Sequence, residues 1–457
     1  MKSLNLDYIE NMDLDYSKIV NHTLDVFKGS ILCIDHKNKN KLNEYISSSL
    51  SKNPKFIITS IKCDIQDEKV LRFNDYETVF NHILEGISPN YRNLNYFGIT
   101  GTNGKTTTAY YLNQLIGSEN LFIGTIDDKN KYSFTNEKIL TTPKLFNIVK
   151  LISLQKKNVN SVSLEVSSHA LDQNRLRNLK FLVSGFTNLS QDHLDYHGSM
   201  EKYLNSKAKL FQEGVSEKFV YIESPEGKQI DSISNVESHS IGVNDFNDIR
   251  YTETDEKSLN FKIDGIEVEC GINLTGPKFI ENFLLAFSMA YYSNLFELEE
   301  LIQRSKFIKN PPGRFETIIS NNKTVIIDYA HTPGAIKEAI KYVKNKYKKV
   351  NVILGAGGDR DRGKRIKMGE ASSIADYIIV TNDNPRNEDP LEISKNILEG
   401  IPLNKKTDVI LDREEAIHKG VQSIKEDEVL LILGKGHEKF QEIDNKFIPF
   451  DDVHLAK

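Results

Sequence analysis

The chain has 457 residues, 39% hydrophobic and 27% charged, the balance of an ordinary water-soluble protein and a length that calls for about three domains. It has no apolar run of about eighteen residues that could cross a bilayer as a helix, and a net charge of -5 without an extended basic block excludes nucleic acid as the main partner. Met1-Lys2-Ser3-Leu4-Asn5-Leu6-Asp7 lacks the apolar stretch of a secretory leader, so a cytoplasmic protein is expected, and the widely spaced Cys33, Cys63 and Cys270 read as reduced packing residues.

Residues 1–92 contain short apolar runs, Ser30 to Ile34 and Lys55 to Thr59, between polar helical stretches, the pattern of a small α/β domain. Tyr96 to Thr100 is a buried-strand candidate that runs into a glycine-rich turn and a helix from Thr106 to Leu115. Strands at Ser161 to Val166 and Phe181 to Thr187 follow, alternating with helical stretches, so residues 93–312 should form a mainly parallel sheet. The pattern restarts at Thr324 to Asp328 and continues through Val350 to Leu354, Tyr377 to Thr381 and Val429 to Gly434. Residues 313–457 are therefore expected to be a Rossmann-like, doubly wound domain, with Pro311-Pro312-Gly313 as the hinge before it. The fold class is α/β in three domains.

Gly98-Ile99-Thr100-Gly101-Thr102-Asn103-Gly104-Lys105-Thr106-Thr107 places a glycine turn between strand and helix. Glycines let successive backbone N–H groups converge on phosphate, Lys105 supplies charge, and the Thr106 hydroxyl can ligate Mg²⁺. Ile99 stands where the general P-loop pattern has its first glycine. Gly-Thr-Asn-Gly-Lys-Thr-Thr resembles the nucleotide loop of the Mur ligases, which depart from the general pattern in the same way. That resemblance assigns Gly101, Thr102, Asn103, Gly104, Lys105, Thr106 and Thr107 to ATP.

Glu165 lies near a strand's carboxyl end, where open α/β sheets bind ligands, and Asn188 to Gly198 packs polar side chains behind another strand. Singly, each such residue reads equally well as a solvated side chain or a local cap. Both segments are similar to Mur ligase signatures, which implies Glu165 as the magnesium ligand beside the γ-phosphate and His193 as ligand of a second magnesium. Tyr203 to Phe211 resembles the segment carrying the family's carbamoylated lysine, with Lys207 at the modified position and Lys209 a solvated neighbour. A CO₂-derived carbamate turns a cation into an anion that can hold Mg²⁺. By the same resemblance Lys105, Lys207 and His193 are the catalytic residues. Thr141, Thr142, Ser168, Gln173 and Arg175 hold a UDP-muramoyl peptide, while Asn282 and Arg314 serve the nucleotide. Around Asn282 the match is looser, because Gly276-Pro277-Lys278-Phe279 replaces a pattern that carries another asparagine.

Three polar loops end strands of the last domain: Gly355 to Arg365, Thr381 to Arg386 and Gly434 to Glu438. They resemble the family branch that adds the third residue of the peptide, in which Asp-Asn-Pro-Arg marks meso-diaminopimelate rather than L-lysine. The resemblance assigns Arg360, Asp383, Asn384, Pro385, Arg386, Gly434 and Glu438 to the amino acid. The guanidinium of Arg386 suits the distal carboxylate that lysine lacks, and Glu438 the distal ammonium. In residues 1–92 the family's Asp-Ser-Arg is absent and His22-Thr23-Leu24 stands ahead of Gly29, so no uridine ligand is named. The implied protein is a monomeric ligase using ATP and two Mg²⁺ ions on a UDP-MurNAc-dipeptide, through an acyl phosphate. A lysine-adding relative, a folylpolyglutamate synthase-like ligase and a non-catalytic ATP-binding partner protein are the competing readings.

Overall fold

The computed structural model describes residues 4–126, 129–138, 140–252, 257–320 and 322–457, with the side chains of Lys129, Asn130 and Ser320 left undescribed. Met1, Lys2 and Ser3, part of the leader reading, lie outside the described residues. The first sheet has four parallel strands, Ile19–Val20, Ile31–Cys33, Phe56–Ser60 and Val70–Phe73. Because successive strand residues face opposite sides, Leu32 and Ile57 join a local core with Leu42 and Ile46 of the helix Lys39–Leu50. Ile31, Cys33 and Ile58 join a much larger cluster that continues through Phe80 and Ile83 to Phe146 and Val162 of the next body. The first sheet therefore has a core of its own on one face only. The other face is fused to the centre of the molecule.

The second sheet has nine strands, in the spatial order Ile266–Gly271, Ser258–Ile263, Ile249–Tyr251, Glu237–Gly242, Ser216–Ile222, Phe181–Phe186, Asn95–Thr100, Ser161–Glu165 and Asn120–Ile123. Seven are parallel, and Ser258–Ile263 and Ile266–Gly271 add an antiparallel edge. From Asn95–Thr100 the chain goes outward to Asn120–Ile123, returns through Ser161–Glu165, and crosses to Phe181–Phe186 on the other side. That reversal opens a crevice at the carboxyl end of Asn95–Thr100. Ile99 is a fully buried strand residue in register with Glu165 and Gly185, so the glycine of the general pattern has no turn to make there.

The third sheet has six strands, ordered Glu316–Ser320, Lys323–Asp328, Glu428–Leu433, Lys349–Leu354, Tyr377–Val380 and Thr407–Val409, all parallel except the first. Every strand expected from the apolar runs is present. The hairpin Phe440–Ile443 with Lys446–Pro449 was not expected, because its outer strand is exposed throughout and carries no buried alternation. Cys33, Cys63 and Cys270 are buried and free. No helix among the described residues is long and apolar enough to cross a membrane.

One buried ion pair ties the third sheet's loops together. Arg413, at the start of the helix Arg413–Ser423, donates from Nε and Nη2 to Asp452 at 2.8 and 2.7 Å, and both side chains are fully buried. The same guanidinium donates to the carbonyls of Asn382 and Leu433, each at 3.1 Å, and so fixes two strand ends from below. Removing one partner of such a pair strands a buried charge, at a cost of about 3–5 kcal/mol. Asp452→Ala is therefore expected to lower the thermal unfolding midpoint clearly below that of the parent chain, as read by calorimetry; an unchanged midpoint would refute the bracing role.

Candidate active site

The glycine turn follows the strand Asn95–Thr100 and feeds the helix Lys105–Ile116. A Cβ on Gly101, at φ +147°, would stand 1.8 Å from Thr187 Oγ1. The segment after Phe181–Phe186 clamps the turn. Thr187 Oγ1 donates to the Asn103 carbonyl at 2.6 Å, Asn103 N–H donates to Asn188 Oδ1 at 3.1 Å, and Thr102 N–H donates to the Asn188 carbonyl at 2.8 Å. Lys105 Nζ folds back to the carbonyls of Gly101 and Thr102, at 2.9 and 2.8 Å.

Glu165 is fully buried at the end of its strand. Its carboxylate accepts from Thr106 Oγ1 at 2.9 Å, Thr125 N–H at 2.7 Å and Thr125 Oγ1 at 3.1 Å. Lys207, on the helix Met200–Ala208, is also buried and donates to the Gly101 carbonyl at 2.7 Å, with its Nζ 4.4 Å from the centre of the Tyr203 ring. Two lysine nitrogens thus meet one carbonyl oxygen. Burial first, and then the charge of Lys105, push the Lys207 amine well below the usual lysine range, and burial also lowers Lys105 against the pull of Glu165 and Asp192. His193 is held down to about 3 by burial, opposed by Asp192, so its ring is neutral with a lone pair to give.

Loops of the third sheet close over this group. Lys364 Nζ pairs with Asp192 Oδ1 at 3.3 Å, both nearly buried, and Lys367 Nζ donates to Gln191 Oε1 at 2.5 Å. Arg314 Nη2 donates to Thr106 Oγ1 at 3.1 Å, and Asn103 Nδ2 to Thr332 Oγ1 at 3.3 Å. Burial opposes ionisation of Asp192, yet Lys364, His193 and His331 together hold its carboxyl well below the usual range. The cleft between this group and those loops has a volume of about 700 Å³ and runs from Lys105, Glu165 and Lys207 to Arg360, Asn384 and Arg386. Beside it a second cavity of about 310 Å³ is lined by Gly104, Thr107, Phe279, Asn282, Arg314 and Ala335. Asn282 faces this cavity while its Oδ1 accepts from Thr108 Oγ1 at 3.4 Å.

Residues 99–290 match the Mur ligase middle domain and residues 313–436 the Mur ligase glutamate ligase domain. The UDP-N-acetylmuramoyl-L-alanyl-D-glutamate–2,6-diaminopimelate ligase of Aquifex aeolicus is 41% identical over 389 residues, covering 80% of this chain and 77% of its own. The chain belongs to the Mur ligase family. The Rickettsia bellii protein of the same name is 36% identical over 433 residues, covering 91% of this chain and 90% of its own. A solved structure of that name superimposes with a TM-score of 0.65 at 25% identity, covering 100% of this chain and 98% of the other.

Within this Mur ligase cleft the sequence-assigned residues fall into distinct places. Thr102, Asn103, Gly104, Lys105, Thr106, Thr107, Glu165, His193, Lys207 and Arg314 line it, with Gly101 beneath Lys105 and Lys207. Arg360, Asp383, Asn384, Arg386, Gly434 and Glu438 line its other end, and Pro385 packs behind, its carbonyl against Gly358. Thr141 and Ser168 face the cleft. The Thr142 hydroxyl instead ties its turn to the Glu165 carbonyl at 2.8 Å, while Arg175 donates to Gln173 Oε1 and the Thr142 carbonyl outside the cleft. Lys209 is exposed but paired with Asp172 at 3.1 Å.

Sequence reasoning did not single out Asp192, Lys364, Lys435 or Glu442. Asp192 and Lys364 stood inside motifs already marked as polar, whereas Glu442 lies four residues past the last motif and gives no local signal. Among the described residues no cluster of three or more His, Cys, Asp or Glu side chains could hold a metal. Mg²⁺ binds through one or two protein oxygens and completes its shell with phosphate and water. The hard donors Thr106 Oγ1 and Glu165, 2.9 Å apart at the head of the phosphate loop, fit that ion.

Gly101 has no room for a side chain. Gly101→Ala is expected to weaken binding of a non-hydrolysable ATP analogue by at least about a hundredfold, roughly 2.7 kcal/mol, in isothermal titration with Mg²⁺ present. Unaltered affinity would mean that the turn is not the phosphate site.

Proposed function

We propose that this chain is an ATP-dependent amide-forming ligase that adds meso-diaminopimelate to UDP-MurNAc-L-Ala-D-Glu in cytoplasmic peptidoglycan precursor synthesis, acting as a monomer. Residues 1–92 would take the UDP end of the acceptor, 93–312 the ATP and 313–457 the amino acid. The observation that carries this reading is the single cleft with a phosphate loop at one end and a paired guanidinium, Arg386, at the other. The names of the Aquifex and Rickettsia relatives support the same acceptor and amino acid.

In this mechanism the acceptor carboxylate attacks the γ-phosphate to give an acyl phosphate and ADP, and the free amine of the amino acid then displaces phosphate. Lys105 leaves the Gly101 and Thr102 carbonyls to neutralise the transferring phosphoryl group, and Arg314 adds charge above Thr106. Mg²⁺ at Thr106 and Glu165, with a second ion at His193 and the carbamate of Lys207, would screen the repulsion between triphosphate and carboxylate. Lys207 suits carbamate formation because burial and the charge of Lys105 lower its amine well below the usual lysine range and so favour the neutral form, which attacks CO₂. Closure of the last body over Asp192 aligns the two substrates and excludes water.

A lysine-adding ligase gains nothing from Arg386, and a non-catalytic nucleotide binder has no use for a buried lysine amine lowered well below its usual range beside the phosphate loop. Phosphate release from Mg²⁺-ATP with UDP-MurNAc-L-Ala-D-Glu is expected to depend on meso-diaminopimelate and to be far slower with L-lysine. Equal rates with both amino acids would overturn the amino-acid assignment. Lys207→Ala is expected to lower turnover by about a hundredfold or more, in line with loss of a group that fixes transition-state charge. Full activity of that variant in CO₂-depleted buffer would exclude the carbamate.

A further inference from the structure

Ser168 stands in the wall of the cleft, and its hydroxyl has one hydrogen-bond partner among the described residues, Nε2 of His197 at 2.9 Å. His197 ends the short helix Leu194–His197, and its other ring nitrogen, Nδ1, lies 3.4 Å from Oγ of Ser206 on the helix Met200–Ala208. All three residues are buried. The rings of Tyr196 and Tyr203 lie 4.8 and 4.9 Å from the imidazole, centre to centre, so packing holds it as well as its two hydroxyl neighbours. Burial, against the pull of Asp172 and Asp195, lowers the imidazole from the usual histidine value and favours the neutral form, which has one N–H and one lone pair.

Ser206 decides which nitrogen carries the proton. Its Oγ has no hydrogen-bond partner among the described residues other than Nδ1. A buried hydroxyl hydrogen without an acceptor is costly, so Ser206 donates to Nδ1. The ring proton then sits on Nε2 and is donated to Ser168 Oγ. Ser168 accepts with a lone pair and keeps its own hydrogen, which meets no acceptor among the described residues. The opposite tautomer would turn the Ser168 hydrogen onto Nε2 and strand that of Ser206.

We propose that His197 is a positioning residue that fixes Ser168 as a hydrogen-bond donor toward the acceptor substrate. This rests on the acceptor reading above, in which Ser168 meets the UDP-muramoyl peptide. That substrate offers carboxylate, amide and phosphate oxygens, all of which call for donors. Ser206 directly precedes Lys207, so the same imidazole sets the substrate-facing hydroxyl in register with the helix that carries Lys207 to the phosphate loop.

The test is a double-mutant cycle between Ser168→Ala and His197→Phe, which keeps a ring but removes its nitrogens. It is read as KM for UDP-MurNAc-L-Ala-D-Glu in phosphate release that depends on meso-diaminopimelate. Each single change is expected to raise that KM by about tenfold, the effect of one hydrogen bond, and the pair by no more than either alone. KM for ATP should stay close to wild type. His197→Gln, whose amide N–H can stand where Nε2–H does, should recover most of the wild-type KM. Nitrogen NMR of the histidine-labelled wild type, with the His197 signal identified by its loss in His197→Gln, should show the proton on Nε2. Additive losses in the cycle, an equal rise in KM for ATP, or a proton on Nδ1 would each overturn the role of His197. A wild type that releases no phosphate with this acceptor would instead overturn the acceptor reading, and this inference with it.

Discussion

The carbonyl oxygen of Gly101 receives two lysine nitrogens, Lys105 at 2.9 Å and Lys207 at 2.7 Å, inside the protein. Two amines brought to one oxygen away from water disfavour each other's charge, and burial disfavours both, so both are lowered from the usual lysine range. Lys207 is the one depressed well below its ordinary range, with burial as the larger cause. The arrangement requires a glycine at 101, since no side chain fits against Thr187. It also requires Lys207 to arrive from a helix a hundred residues further on. The topological reversal at Asn95–Thr100 makes this possible, because it puts Glu165 on one side of the loop and the Thr187–Ser190 clamp on the other.

The amino-acid end rests on a different principle: four of its cations are each answered by a neighbouring carboxylate. Arg413 is matched by Asp452, Arg365 by Glu388, Lys435 by Glu438 and Arg386 by Glu442. Such pairs add little net stability, because desolvation offsets most of their attraction. They specify geometry instead. Arg365 donates to the Gly357 carbonyl, and Arg413 to those of Asn382 and Leu433, so the three strand-end loops are set at fixed spacing from beneath.

What the sequence revealed follows the range over which each constraint acts. The phosphate loop was legible because its glycines, lysine and threonine act within a few residues of one another between a strand and a helix. Arg386 and Glu438 were legible through motifs at strand ends. The convergence of Lys105 and Lys207 on one carbonyl was not, since it depends on packing between distant elements. Nor was Glu442, which sits on a hairpin whose exposed outer strand lacks alternating burial. The fusion of the first sheet to the centre was hidden for a related reason. Ile31 and Leu32 look alike in sequence, yet one faces the shared core and the other the local one. Asp25 binds Thr135 and Asn136 more than a hundred residues away, a link that no local pattern announces.

The closed cleft also bears on what drives closure. Lys364–Asp192, Lys367–Gln191, Arg314–Thr106 and Asn103–Thr332 join the two bodies across it. When the bodies part, water solvates these groups, and the attraction lost is largely returned as hydration. These contacts therefore set the register of closure more than its strength. A ligand shifts such an equilibrium only by binding one state better than the other. In the proposed reading a triphosphate held between Lys105 on one body and Arg314 on the other would do so, because only the closed state offers it both cations. In the mechanism proposed above, the same logic puts Arg386 on the last body and Lys207 on the central one, so that the amine would meet the activated carboxyl only after the cleft has shut.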